Sequence, residues 1–161
     1  MRVLCCLDGS NIEHIHTAIE SMLLKDALTI GFIYIIDSGP RKEVERQTGP
    51  LLRHTRPDAA RYEQMRQADA TSAQETLAEG QKLYPDAETI QREGRPEREI
   101  VNYAVEWNAD VIVICPRSPQ RSGPTIGPKS VGHVARFVLD HAPCPVLLVR
   151  PMMREGYPLA R

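Results

Sequence analysis

Apolar and polar positions come in blocks along this chain. Short aliphatic runs are each followed by a longer stretch in which apolar positions recur every three or four residues. That alternation predicts βαβ units on a mainly parallel sheet. Arg2 to Leu7 is a near-continuous apolar run, as expected of a strand covered on both faces. Asp8-Gly9 ends it, and Ser10-Asn11-Ile12-Glu13 reads as a capping box opening a helix. The apolar face of that helix is Ile12, Ile15, Ile19, Met22 and Leu23, with His14, His16 and Glu20 off it. A second strand runs from Leu28 to Ile36. Ser38 to Pro57 is irregular and is read as a long surface loop beside the cleft.

Asp58 to Tyr84 is then a long polar helix with a thin stripe of Tyr62, Met65, Ala73, Leu77 and Tyr84. Ala87 to Arg92 is a third strand, polar enough for an edge. Pro96 suits the first turn of the next helix, whose buried face is Ile100, Val101, Ala104 and Val105. Val111 to Cys115 is the fourth strand, and Pro116 to Pro128 is a loop rich in proline and glycine. A last helix, about Lys129 to His141, buries Val131, Val134, Ala135, Val138 and Leu139. Val146 to Val149 is the fifth strand. Five strands with helices between them fit a small doubly wound α/β sheet, with one domain over 1–150 and a tail over 151–161.

Composition narrows the function classes. The 161 residues suffice for one core, and a net charge of −1 gives no overall pull toward nucleic acid or an anionic membrane. No apolar run approaches the roughly 20 residues of a bilayer span. The N-terminus enters a strand pattern with no signal peptide, so the expected location is the cytoplasm. Cys5, Cys6, Cys115 and Cys144 form no CxxC pair and no metal spacing with histidine. They read as buried reduced thiols, with a redox role as the alternative. Trp107 reads as packing, His14 and His16 as exposed helix residues, His54 as a loop residue, and His141 as a helix end.

Four segments in order carry a family resemblance. They are Val3 to Ser10, ending Asp8-Gly9-Ser10; Gly94-Arg95-Pro96 with Ile100 to Ala104; Asn108 to Ile114; and Gly132 to Leu147. Over nearly its whole length the chain resembles the universal stress protein family. The resemblance implies a three-layer, Rossmann-like fold of the adenine nucleotide alpha hydrolase type, with strand order 3-2-1-4-5. It further implies a homodimer formed through the last strand (Val146 to Val149) and, in ATP-binding members, a nucleotide cleft. Carried over position by position, Asp8 stands by the ribose, Ile35 offers backbone to adenine and Ile114 lines the adenine pocket. Asp8 also has a simpler reading, as a turn former before Gly9.

The family's phosphate motif, G-x2-G-x9-G-[ST], is altered. Cys115 and Ser118 stand at the first two glycine positions, Gly132 keeps the third, and His133 replaces the hydroxyl residue ahead of Val134. The intervening loop is about four residues longer than the motif. A phosphate loop uses glycine because backbone N–H groups must approach oxygens closely. A Cβ at 115 and 118 opposes that approach, and Pro116, Pro119, Pro124 and Pro128 each remove a donor. In the other direction, no Asp or Glu occurs from Val111 to Leu139, whereas Arg117, Arg121, Lys129 and Arg136 do. Ser122-Gly123 and Gly127 are candidates for a displaced cradle, and His133, in the last helix's first turns, for a phosphate donor.

Three functions remain open on the sequence. The first is a stress-response regulatory module holding ATP, with Mg only if ATP binds, or another adenine nucleotide. The second is a dimeric partner-binding protein of the same fold whose ATP site has degenerated. The third, an enzyme of the related adenine-nucleotide folds, lacks the Ser-Gly-Gly loop or His-x-Gly-His motif it would need. No nucleophile–base pair is evident, so slow hydrolysis of bound ATP is the most catalysis expected.

Overall fold

The computed structural model describes residues 1–23, 27–38, 59–116 and 131–150, the side chains of 59–62 excepted. The irregular segment after Ser38, the loop from Arg117 to Ser130 and the tail lie outside them. Nine elements follow in chain order: β1 (Arg2–Leu7), α1 (Ile12–Met22), β2 (Thr29–Asp37), α2 (Ala59–Leu83), β3 (Glu88–Gly94), α3 (Pro96–Glu106), β4 (Val111–Ile114), α4 (His133–His141) and β5 (Val146–Leu148). The five strands form one sheet in the order β3-β2-β1-β4-β5, with every neighbouring pair parallel. The expected strand order is therefore observed.

The sheet is covered on both faces, which explains the unbroken apolar runs. Because successive side chains alternate, Val3, Cys5 and Leu7 pack with Ile15, Ala18, Ile19, Phe32 and Leu77 beneath α1 and α2. Leu4 and Cys6 pack with Ile33, Ile100, Ala104, Trp107, Ala135 and Val138 beneath α3 and α4. The two adjacent cysteines thus serve opposite layers as free thiols. Trp107 is packing, as expected: its indole N–H donates to Glu88 Oε2 at 3.0 Å and Arg2 lies 4.3 Å from its ring centre.

Five expectations need correction. The capping box does not form. The α1 N-cap is Asn11, with no side-chain cap, and the Ser10 hydroxyl donates instead to Asp8 Oδ1 at 3.0 Å. Met22 and Met65 are exposed, because α1 buries Ile15, Ala18 and Ile19 and α2 meets the sheet through Ala73 and Leu77. Val105 and Leu139 also face outward, while Glu97 takes a buried place on α3. His16 is half-buried, with Nδ1 2.9 Å from the Tyr84 hydroxyl. The last helix is observed from His133, preceded by Gly132 as N-cap.

Candidate functional site

The strand order reverses between β1 and β4. Chain leaving β1 crosses to β2 on one side, whereas β4 and β5 lie on the other. At such a switch point the connections diverge and leave a crevice beyond the C-terminal ends of the strands. Asp8 follows β1 there, Cys115 follows β4, and Gly132 opens α4, so the fold brings three of the sequence candidates to one edge.

The turn after β1 is held by its own polar groups. Asp8 Oδ1 accepts from the Ser10 backbone N–H at 2.9 Å and from the Ser10 hydroxyl at 3.0 Å. Gly9 follows at φ +88°, a conformation that favours glycine. Asp8 is exposed, so its carboxylate is both a turn former and open to the crevice. Asn11 is buried at 4% exposure. Its amide donates to the Cys6 carbonyl at 2.9 Å, and its Oδ1 accepts the Asp8 backbone N–H at 3.1 Å.

On the β2 side, pairing with β1 ends at Leu7 opposite Tyr34, while pairing with β3 continues to Asp37 opposite Gly94. Among the described residues, Ile35, Ile36 and Asp37 therefore have no strand beside them on the β1 side. Their backbone can serve a planar heterocycle. A groove of about 260 Å³ adjoins them, lined by Tyr34, Ile35, Ile36, Asp37 and Asp69. Ile114 is different. It is 4% exposed, packs in the layer beneath α3 and α4, and its carbonyl accepts from Val149 at 2.9 Å. It forms the floor of the sheet edge.

Gly132 has φ 84° and ψ 160°, a backbone region closed to residues with a Cβ. This glycine sets the entry angle of α4, whose first N–H groups lack intrahelical acceptors and whose dipole favours an anion. His133 is exposed, with Nε2 3.6 Å from the carboxylate of buried Glu97 on α3, so that nitrogen is directed at α3. Val134 packs half-buried in the layer beneath α3 and α4. The Cys115 thiol is pushed up to about 11, first by burial and then by the charge of Asp8, against a hydrogen bond from Asn11. A thiol so placed is neutral at pH 7 and a poor nucleophile. Arg117, Ser118, Ser122, Gly123 and Gly127 lie outside the described residues, as do Arg121 and Lys129.

Sequence reasoning missed two members of this edge. Asn11 was absorbed into a capping box, and Glu97 looked like one more acidic residue in a helix's first turn. For Asn11 the available signal was an amide between the apolar end of a strand and an apolar helix face, where burial demands partners. For Glu97 no sequence signal existed, since its partner lies on another helix. Among the described residues no group of three or more His, Cys, Asp or Glu could hold a metal ion. Nor is any helix there long and apolar enough to cross a membrane.

Comparison with known proteins agrees with this geometry. Several solved structures are similar along most of the chain. Universal stress protein UspA from Lactobacillus plantarum is 19% identical, covering 93% of this chain and 97% of that one, with TM-score 0.67. The universal stress protein from Archaeoglobus fulgidus in complex with dAMP is 21% identical over 93% and 98%, with TM-score 0.56. A universal stress protein family protein from Arabidopsis thaliana with AMP bound is 15% identical over 92% and 90%, with TM-score 0.57. No curated protein matches. The model of the universal stress protein family matches residues 1–150, and with the sheet order and the four segments in place the chain belongs to that family.

Proposed function

We propose that this protein is a regulatory module that binds an adenine nucleotide at the crevice between β1 and β4. The observation that carries the reading is the placement of Asp8, the uncovered backbone of Ile35 to Asp37 and the glycine-opened start of α4 along one sheet edge. Two relatives of the same fold hold AMP and dAMP. The residues fit such a ligand in type. An adenine edge takes paired backbone donor and acceptor, a ribose hydroxyl donates to a carboxylate, and a phosphate takes free N–H groups at a helix start. In this chain Ile35 to Asp37 would hold the base, Asp8 the ribose, and Gly132, His133 and Val134 the phosphate. Bound nucleotide would supply the anionic group that α4 lacks.

The phosphate end favours fewer phosphates. Cys115 places a Cβ and a neutral thiol where the family motif has glycine, and buried Pro116 offers no N–H. A monophosphate reaches the start of α4 without that segment, whereas ATP with Mg depends on the loop from Arg117 onward. Denatured protein should release nucleotide, and calorimetry should show AMP binding that Asp8→Ala weakens about tenfold, the loss of one charge-assisted hydrogen bond. ATP with Mg should bind no tighter. Protein free of nucleotide that also fails to bind AMP, ATP or Mg-ATP at millimolar concentration overturns the reading.

A second reading, a dimer that binds a protein partner without nucleotide, draws on β5. This strand is a sheet edge, and Val146, Leu147 and Leu148 are each half-buried in the single chain. An exposed edge of that kind invites strand addition. Sedimentation at micromolar concentration that gives a monomer would remove this reading without touching the first.

A further inference from the structure

We infer that Asn11 is a positioning residue for the nucleotide, fixing Asp8 from beneath the crevice, beside Cys115. The inference rests on the proposed nucleotide site and assigns the group that shapes it. An amide side chain carries two donors and one acceptor oxygen. Asn11 uses them at the C-terminal end of β1. It donates to Cys6 within β1 at 2.9 Å and accepts the backbone N–H of Asp8 at 3.1 Å. Cys115, which follows β4, is its neighbour, and the amide favours the thiolate there against the burial that opposes it.

These contacts explain why asparagine occupies the position. Serine is too short to reach both groups, and aspartate has no donor for the Cys6 carbonyl. The Asp8 N–H is held by Asn11, and Asp8 Oδ1 is occupied by Ser10, so the carboxylate is aimed before any ligand arrives. The side chain is 4% exposed and lies under the turn, so it acts through Asp8 and Cys115 and makes no ligand contact of its own. Such pre-organisation removes an ordering cost that binding would otherwise carry.

Asn11→Asp tests this with almost no change in volume. The new carboxylate faces the Cys6 carbonyl and lies beside Asp8, acceptor against acceptor. Three measurements on the full chain, with wild type alongside, separate the possibilities: calorimetry with AMP, peptide-resolved alkylation of Cys115 and Cys144 by iodoacetamide at pH 8, and thermal melting. The expected result is AMP affinity reduced about tenfold or more, with Cys115 alkylated several-fold more slowly relative to Cys144. The slowing follows from losing a donor and gaining a charge beside the thiol. General loosening would move alkylation the other way, speeding both cysteines.

AMP affinity within twofold of wild type, or faster alkylation at both sites, overturns the inference. Wild type that binds no AMP overturns the nucleotide reading alone, and the positioning of Cys115 is then decided by the alkylation ratio. Should Asn11→Asp not fold, Asn11→Ser takes its place. Its hydroxyl suits the start of a helix and loses the reach to Cys115, so slowing of the same sign is expected and its absence refutes the inference.

Discussion

Gly132→Ala asks whether α4 is aimed by one backbone angle. Gly132 sits at φ 84° and ψ 160°, where a Cβ meets the flanking carbonyl groups, and holding a non-glycine residue there costs on the order of 1–3 kcal/mol. The chain can bear that strain or relieve it by turning the peptide and starting the helix elsewhere. Bearing it lowers stability by the full amount, roughly 2–4 °C in melting temperature per kcal/mol for a chain of this size. Relieving it recovers stability but redirects the first N–H groups of α4, and the affinity for AMP falls. The two losses therefore trade against each other. Urea unfolding and calorimetry on the same variant measure both. Gly9→Ala is the comparison: φ is +88°, and a Cβ there would meet Thr76 Oγ1 at an ordinary 3.7 Å. It too should lose stability, from backbone strain. If Gly132→Ala keeps both the wild-type urea midpoint and wild-type AMP affinity, the claim that this glycine sets the phosphate end is wrong.

Other outcomes follow from the core and its ionisable groups. Gly80→Ala gains helix propensity of about 1 kcal/mol in α2. Its Cβ, however, would lie 2.9 Å from fully buried Phe32, and overpacking costs about 1–3 kcal/mol, so a lower urea midpoint is expected and a higher one would show that the ring can yield. Stability should also fall in alkali. Burial raises Cys5 and Cys6 above their ordinary 9.0, Cys115 to about 11, and Tyr84 to about 12 from 10.0. Below pH 9 these groups are protonated in both states. Above it the unfolded chain loses protons first, so the urea midpoint should drop between pH 9 and 11 and Cys115→Ser should flatten part of the drop. A midpoint flat to pH 11 would contradict the burial of these groups. Trp107→Phe removes the indole N–H bonded to Glu88 and also the outer-ring carbons packed on Gly31, so a loss of more than roughly 1 kcal/mol is expected in the same assay.

Legibility in the sequence followed the range of the physics. Strands and helices were readable where burial imposes a period, and the alternation of Val3, Cys5 and Leu7 against Leu4 and Cys6 survives intact in the two layers. Errors fell on helix faces. Met22, Met65, Val105 and Leu139 all satisfy a three-to-four spacing, yet each lies just past the arc its helix buries. Hydrophobicity alone cannot set the width of that arc, because the neighbouring element determines it. The glycine at 132 was legible as a residue type, but its angle is set by the path from β4 into α4.

The site obeys the same division. Asp8 and Ile35 could be named as candidates because a place at the end of a strand follows from the strand's own pattern. Glu97 could not, because its partner His133 lies on another helix, and Asn11 was passed over because the capping-box pattern hid its bonds to Cys6 and Asp8. This difference bears on how the altered phosphate loop is understood. Seen as a list of residues, Cys115 is only a lost glycine. Placed beside Asn11 and Asp8 it is a neutral thiol whose ionisation the Asp8 charge opposes and the Asn11 amide favours, at the ends of β1 and β4. A loop that had merely decayed would have no reason to supply the thiol with a buried amide partner. The Cys115→Gly variant separates these views. A decayed loop regains Mg-ATP binding when its glycine is restored, whereas an integrated thiol leaves Asn11 short of a partner and lowers both stability and AMP affinity.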